Sequence, residues 1–173
     1  FVLARGTTTA KAIAALSNAR GVRFAEPNYI VKTSAVSNDP YYTGNNLWGM
    51  YGDATTPSNA FGSHAGEAWA DGYTGSANVV IGVVDEGIQV THPDLVDNIW
   101  TNPGEIAGNL VDDDGNGYID DVNGYDFVNN DGSVYDSVND DHATHVAGTI
   151  GGVGGNGIGV AGVNWDVTMI SAK

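Results

Sequence analysis

The run NVVIGVV at residues 78–84 is almost wholly apolar and β-branched, and Asp85 follows it directly. Continuous rather than alternating apolar residues mark a buried strand of the kind found in parallel sheets. Downstream, a helix is predicted from His142 to about Ile150, with Val146, Ala147 and Ile150 on one face, and a final strand from Asp166 through VTMISAK. Strand, crossover, helix and strand define an α/β fold in which a parallel sheet is flanked by helices.

Working outward, residues 66–70 predict a short helix that ends at Gly72. Residues 33–62, rich in Ser, Asn, Gly, Pro and aromatics, read as linker and irregular surface chain. Before them, the Ala-rich stretch at 7–19 predicts a helix after a capping Thr cluster, and GVRFAEPNYIVK at 21–32 predicts two strand pieces broken at Pro27. Residues 101–141 form an acidic, Gly- and Asn-rich loop region far longer than a passive connection needs to be.

The 173 residues carry 42% apolar side chains, no Cys and a net charge of −15. That length supports a core without chemical staples, and the missing Cys excludes disulfide scaffolds, thiol catalysis and cysteine zinc sites. No apolar run approaches the roughly 18 residues of a membrane span, and the acidic balance repels phosphate backbones and anionic lipid. Neither a membrane nor nucleic acid is an expected partner. The charge is also uneven: Arg5, Lys11, Arg20, Arg23 and Lys32 face only Glu26 in residues 1–32, whereas no Lys or Arg occurs from Thr33 to Ala172. This is either a skew within one fold or a basic segment that docks on an acidic domain.

Asp85 stands at the carboxyl end of the predicted strand, where open α/β sheets place reactive groups. Alone it reads first as a turn or cap residue, as His142 alone reads first as a surface histidine near a cap. His142 opens the later helix, where the N-terminal dipole disfavours imidazolium and a nearby carboxylate restores basicity, a pairing suited to a general base. A metal-dependent hydrolase built on His142, His145 and the acids lacks a third compact ligand.

Together VVIGVVDEGIQVTHPDL at 79–95 and HATHVAGTIGGVGGNGIGVAGV at 142–163 resemble the Asp and His motifs of subtilisin-like serine proteases. The resemblance covers residues 39–173 and implies a truncated subtilisin-like catalytic domain. It implies that Asp85 orients the imidazole and that His142 takes the proton of a nucleophilic serine during hydrolysis of peptide bonds. Glu86 stands where the family has Ser or Thr, and Ala143 where it has Gly. Only Ser171 follows His142 without the family's serine motif, so the chain is expected to be a fragment, cut at both ends and inactive alone. The alternative is a noncatalytic calcium-binding or inhibitory module on the same fold.

DDDGNGYIDDVN at 112–123 follows the alternating oxygen pattern of a calcium loop. Asp112, Asp114, Asn116, the carbonyl of Tyr118 and Asp120 fall at ligand positions, with Asp121 as the closing carboxylate because Asn123 occupies the twelfth. Calcium is favoured over a merely solvated loop because charges this dense repel without a cation. The resemblance implies a further Ca2+ site from Asp94, Asn156 and the carbonyls of Ile158 and Val160. It also implies that residues 1–33 are the end of a small α+β inhibitor-type propeptide, that 34–38 hold the processing linker, and that the protein is a secreted, monomeric protease inhibited by its own propeptide.

Overall fold

The apolar run before Asp85 forms β1 (Gly75–Val84), and the closing run forms β3 (Asp166–Ala172). The structure, a computed structural model, describes residues 6–27 and 35–173. β1 and β3 pair in parallel with Val80 opposite Thr168 and Val84 opposite Ala172. A two-residue strand, β2 (Gly124–Tyr125), pairs with β3 on its other side, giving the order β1-β3-β2. Parallel neighbours need a long crossover, and the chain between β1 and β3 supplies it with a helix, the expected α/β arrangement.

That helix, α4 (Asp141–Gly151), buries Ala143, Ala147 and Gly151, spaced i, i+4, i+8 along one stripe. Small residues let it sit close to the sheet: a methyl at Gly151 would collide with Val167 and Met169. Ala143 and Ala147 pack with Val83, Ile88, Leu95, Val167 and Met169, while the larger Val146 and Ile150 flank this cluster half-buried. The sequence predicts β1 as a strand covered on both faces, and here the structure differs. β1 is an edge strand among the described residues; Val83 alone of its side chains is buried, and Val84 is 86% exposed. One hydrogen-bonded neighbour and one helix-covered face cannot enclose a strand.

Residues 33–62, expected to be linker and surface chain, are also corrected where described. A one-turn helix, α2 (Pro40–Thr43), and a 3-10 turn (Trp48–Met50) lead into α3 (Ala65–Ala70). Tyr42, Tyr51, Ala65, Trp69 and Ala161 form a second core cluster. Its aromatic rings meet at centroid distances of 5.0 Å for Tyr42–Tyr51, 5.5 Å for Tyr42–Trp69 and 5.2 Å for Trp69–Trp165. The Trp69 indole N–H donates to the Val163 carbonyl at 3.0 Å, so the ring is anchored as well as buried.

The chain divides into two compact units, Phe1–Lys32 and Thr33–Lys173. In the first, α1 (Thr9–Ser17) is capped by Thr8, whose hydroxyl accepts from the Lys11 N–H at 3.3 Å. The strand piece expected at Val22 and Phe24 does not form: residues 22–27 carry no regular structure, and Phe24 is 73% exposed. Alternation makes a strand only where a neighbour accepts its ladder, and none pairs with these residues among those described. The second expected piece, at Tyr29, Ile30 and Val31, lies outside the described residues.

Met169 is fully enclosed between sheet and α4. Met169→Ala is therefore expected to destabilise the protein by about 2–5 kcal/mol, seen as a lower urea midpoint at an unchanged slope.

Candidate active site

Asp85 leaves the end of β1 while its N–H still bonds the Ala172 carbonyl at 3.1 Å, so the sheet ladder extends to the site. Gly87 then turns the chain at φ +115°, where any Cβ would strike the Val134 carbonyl. His142 lies in the first turn of α4, whose inner stripe is locked to the sheet. These two elements bring the Asp85 carboxylate to 2.8 Å from His142 Nδ1 across 57 residues of sequence. A carboxylate acceptor keeps the proton on Nδ1 and leaves the Nε2 lone pair available. The His142 side chain is 67% exposed and Asp85 only 22%, so the imidazole faces outward and the carboxylate that binds it is sheltered.

The other Asp85 oxygen accepts the Glu86 N–H at 2.8 Å, and Glu86 accepts the main-chain N–H of His142 at 2.6 Å. Ala143, the second departure from the family motif, turns its methyl into the core and is fully buried. Ser171 is 2% exposed in β3 and its hydroxyl accepts the Ile88 N–H at 3.3 Å, a role within the sheet.

In the acidic loop, the structure brings Asp114 and Asp121 together with Glu105, their ligand oxygens all within 4.8 Å of one another. Asn102 bridges the two aspartates with its amide at 3.0 and 2.9 Å, and Asn116 does the same at 3.2 and 3.0 Å. Asp112 instead aims both oxygens at the N–H groups of Gly115, Asn116 and Gly117, and Asp120 clamps those of Gly108, Asn109 and Leu110. Tyr118 belongs to an aromatic trio with Tyr125 and Phe127 at centroid distances of 4.7 and 5.7 Å. Glu105 was not singled out in the sequence because it precedes the patterned run and belongs to no motif of its own.

The second loop centres on Asp94, 2% exposed, which accepts the Asn156 side-chain amide at 2.9 Å and the Val160 N–H at 2.7 Å. The carbonyls of Ile158 and Val160 accept no hydrogen bond among the described residues. Gly159 must be glycine, since a Cβ there would overlap the Asp94 carboxylate. Fully buried Asp39, also missed in the sequence, accepts the N–H groups of Gly155, Asn156 and Gly157 at 2.8–3.1 Å. Two buried carboxylates thus converge on one loop, Asp94 meeting amide donors and Asp39 meeting three main-chain amides and the Ser37 hydroxyl at 2.6 Å.

A third acidic group encloses Lys173, whose ammonium contacts Asp136, Asp140 at 2.9 Å and Asp126 at 3.5 Å. Burial alone would lower the Lys173 pKa, but hydrogen bonds to Asp136 and Asp140 and their charges hold it above the ordinary lysine range. Asp140 is held below the usual carboxylate range chiefly by the Lys173 bond and the Asp136 N–H. Burial pushes Asp126 up, yet the N–H groups of Asn129 and Val128 and the Lys173 charge leave it below that range.

A carboxylate at a strand end thus holds an imidazole at a helix start. The chain belongs to the subtilase family, whose model matches residues 76–173. Over 92 residues it is 46% identical to subtilisin-like protease 1 of Plasmodium berghei (strain Anka), covering 53% of this chain and 15% of that protein. It is 35% identical over 153 residues to the halolysin-like extracellular serine protease Nep of Natrialba magadii, covering 88% of this chain and 23% of that one. It is 34% identical over 161 residues to the thermophilic serine proteinase of Bacillus sp. (strain AK1), covering 93% and 31%. The chain therefore spans less than a third of the length of each of these relatives.

Depressed aspartates contribute stability above their unfolded pKa and lose it as pH falls through the folded value; the raised lysine loses its contribution only in strong alkali. Lys173→Met is expected to lower the melting temperature at pH 7, and the gap to wild type is expected to narrow below about pH 4. Differential scanning calorimetry across pH reads both.

Proposed function

We propose that the chain is part of a secreted, calcium-stabilised serine endopeptidase precursor acting on polypeptides. The observation that carries this reading is the 2.8 Å contact between Asp85 and His142 Nδ1, on a chain of the subtilase family. In this reading residues 39–173 belong to the catalytic domain, 34–38 to the processing linker, and 1–33 to the end of a propeptide that inhibits the enzyme intramolecularly. The basic balance of residues 1–32 against the acidic remainder supports such docking. The mature enzyme is monomeric.

His142 Nε2 accepts the hydroxyl proton of a nucleophilic serine, as that oxygen bonds to the scissile carbonyl carbon. Asp85 stabilises the imidazolium that results without taking the proton. When the tetrahedral adduct collapses, the C–N bond breaks and His142 returns the proton to the departing amine. Water then repeats the sequence on the acyl-enzyme and releases the acid.

Calcium supplies positive charge that holds acidic loops together. The donors fit a hard cation: Asp114 and Asp121 with Glu105 in the first loop, and in the second Asp94 beside Asn156 with the carbonyls of Ile158 and Val160, which accept no hydrogen bond among the described residues. Asp112, Asn116 and Asp120 shape the first loop through its amides, and the Tyr118 carbonyl stays assigned to its ligand set.

In the full-length enzyme, Asp85→Asn is expected to reduce kcat/KM on the order of 10⁴-fold, and His142→Ala at least as much. Wild-type turnover of a peptide substrate by either variant would contradict the assignment. Calorimetric titration with Ca2+ is expected to lose one binding event in Asp114→Ala; an unchanged isotherm would remove Asp114 from the site.

A further inference from the structure

α4 begins with its ordinary cap disarmed. Asp140 occupies the N-cap position yet makes no side-chain bond to the helix. Its carboxylate is committed elsewhere, to Lys173 at 2.9 Å and the Asp136 N–H at 2.8 Å. The first-turn N–H groups of a helix have no partners within it, and an unmet donor there lets the turn fray. His142 sits in that turn, so fraying would move the imidazole itself.

Glu86 fills the gap from the opposite element. Half-buried beside Asp85, it crosses 56 residues of sequence to accept the His142 main-chain N–H at 2.6 Å. Consecutive residues thus hold the same histidine at two points: Asp85 takes the ring at 2.8 Å and Glu86 takes the backbone. The Asp85 oxygen that accepts the Glu86 N–H at 2.8 Å ties the two holds into one ring of bonds. The carboxylate also lies at the positive end of the α4 dipole. Ser or Thr at position 86 carries its hydroxyl on Cβ, short of the reach that the glutamate uses.

We infer that Glu86 is a positioning residue for His142, replacing the N-cap of α4 and fixing the direction in which the imidazole addresses the reacting serine. This rests on the serine-peptidase reading above. The relevant property is a hydrogen-bond acceptor at the end of a three-carbon reach; negative charge at position 86 is secondary.

Three variants of the full-length enzyme separate these properties. Glu86→Gln keeps reach and acceptor without charge, Glu86→Asp keeps charge and withdraws the acceptor, and Glu86→Ala removes both. With active sites counted by fluorophosphonate labelling, Asp and Ala are expected to lower kcat about 10- to 100-fold at nearly constant KM, and Gln to recover most of that loss. Amide exchange at the His142 N–H is expected to quicken at least 10-fold in Asp and Ala but not in Gln. Should Glu86→Ala not fold, the Asp and Gln pair decides. Wild-type kcat and exchange in Glu86→Asp, or equal losses in Gln and Ala, would overturn the inference. If Asp85→Asn also leaves turnover untouched, the serine-peptidase reading has failed, and exchange at His142 alone then decides the role of Glu86.

Discussion

A hydrogen bond between side chains 57 residues apart, from Asp85 to the His142 ring, sets the constraint that the rest of this structure meets. Holding two such groups at 2.8 Å requires the end of a strand and the start of a helix to be fixed against each other. The parallel register of β1 on β3 fixes the first, and the Ala143, Ala147, Gly151 stripe seated on Val167 and Met169 fixes the second. Gly151 matters here because any larger side chain would lift α4 from the sheet and carry His142 away from its carboxylate. Packing inside the core and geometry at the surface are the same problem.

Acidity is the second constraint. Carboxylates dominate the loops around this site, and each cluster is held by a different device. Asp112 and Asp120 are satisfied by backbone amides, Asp126, Asp136 and Asp140 share the Lys173 ammonium, and Glu105, Asp114 and Asp121 draw together around amide side chains. Like charges at such spacing repel strongly at reduced dielectric, so loops of this composition stay ordered only when donors or cations meet every oxygen. That is also why Asp140 cannot cap α4: Lys173 has claimed it, and the helix is capped across space.

Much of this was legible in the residues. The apolar run at 78–84, the helix at 142 and the strand at 166 gave the α/β arrangement through period and order alone, whereas Asp85 and His142 were singled out together only by the motifs around them. What stayed hidden is non-local. Burial of β1 depends on how many neighbours cover it, which a seven-residue run does not encode. Tyr42 and Tyr51 looked like loop aromatics because their partners Trp69 and Trp165 are distant in sequence. Asp39 and Glu105 belong to no local pattern, and the calcium-loop pattern that marks Asp112 and Asp120 does not show that their oxygens also accept from backbone amides. Glu86 stood out only as a departure from a family motif; its use appears once His142 is seen across from it.

The proton shared between Asp85 and His142 is observed directly by ring-nitrogen NMR of the full-length protein. Long-range ¹H–¹⁵N correlation is predicted to show His142 protonated on Nδ1 near neutral pH, with a strongly downfield proton that is lost in Asp85→Asn. An imidazole protonated on Nε2 alone, or an Nδ1 proton indifferent to Asp85, would contradict it.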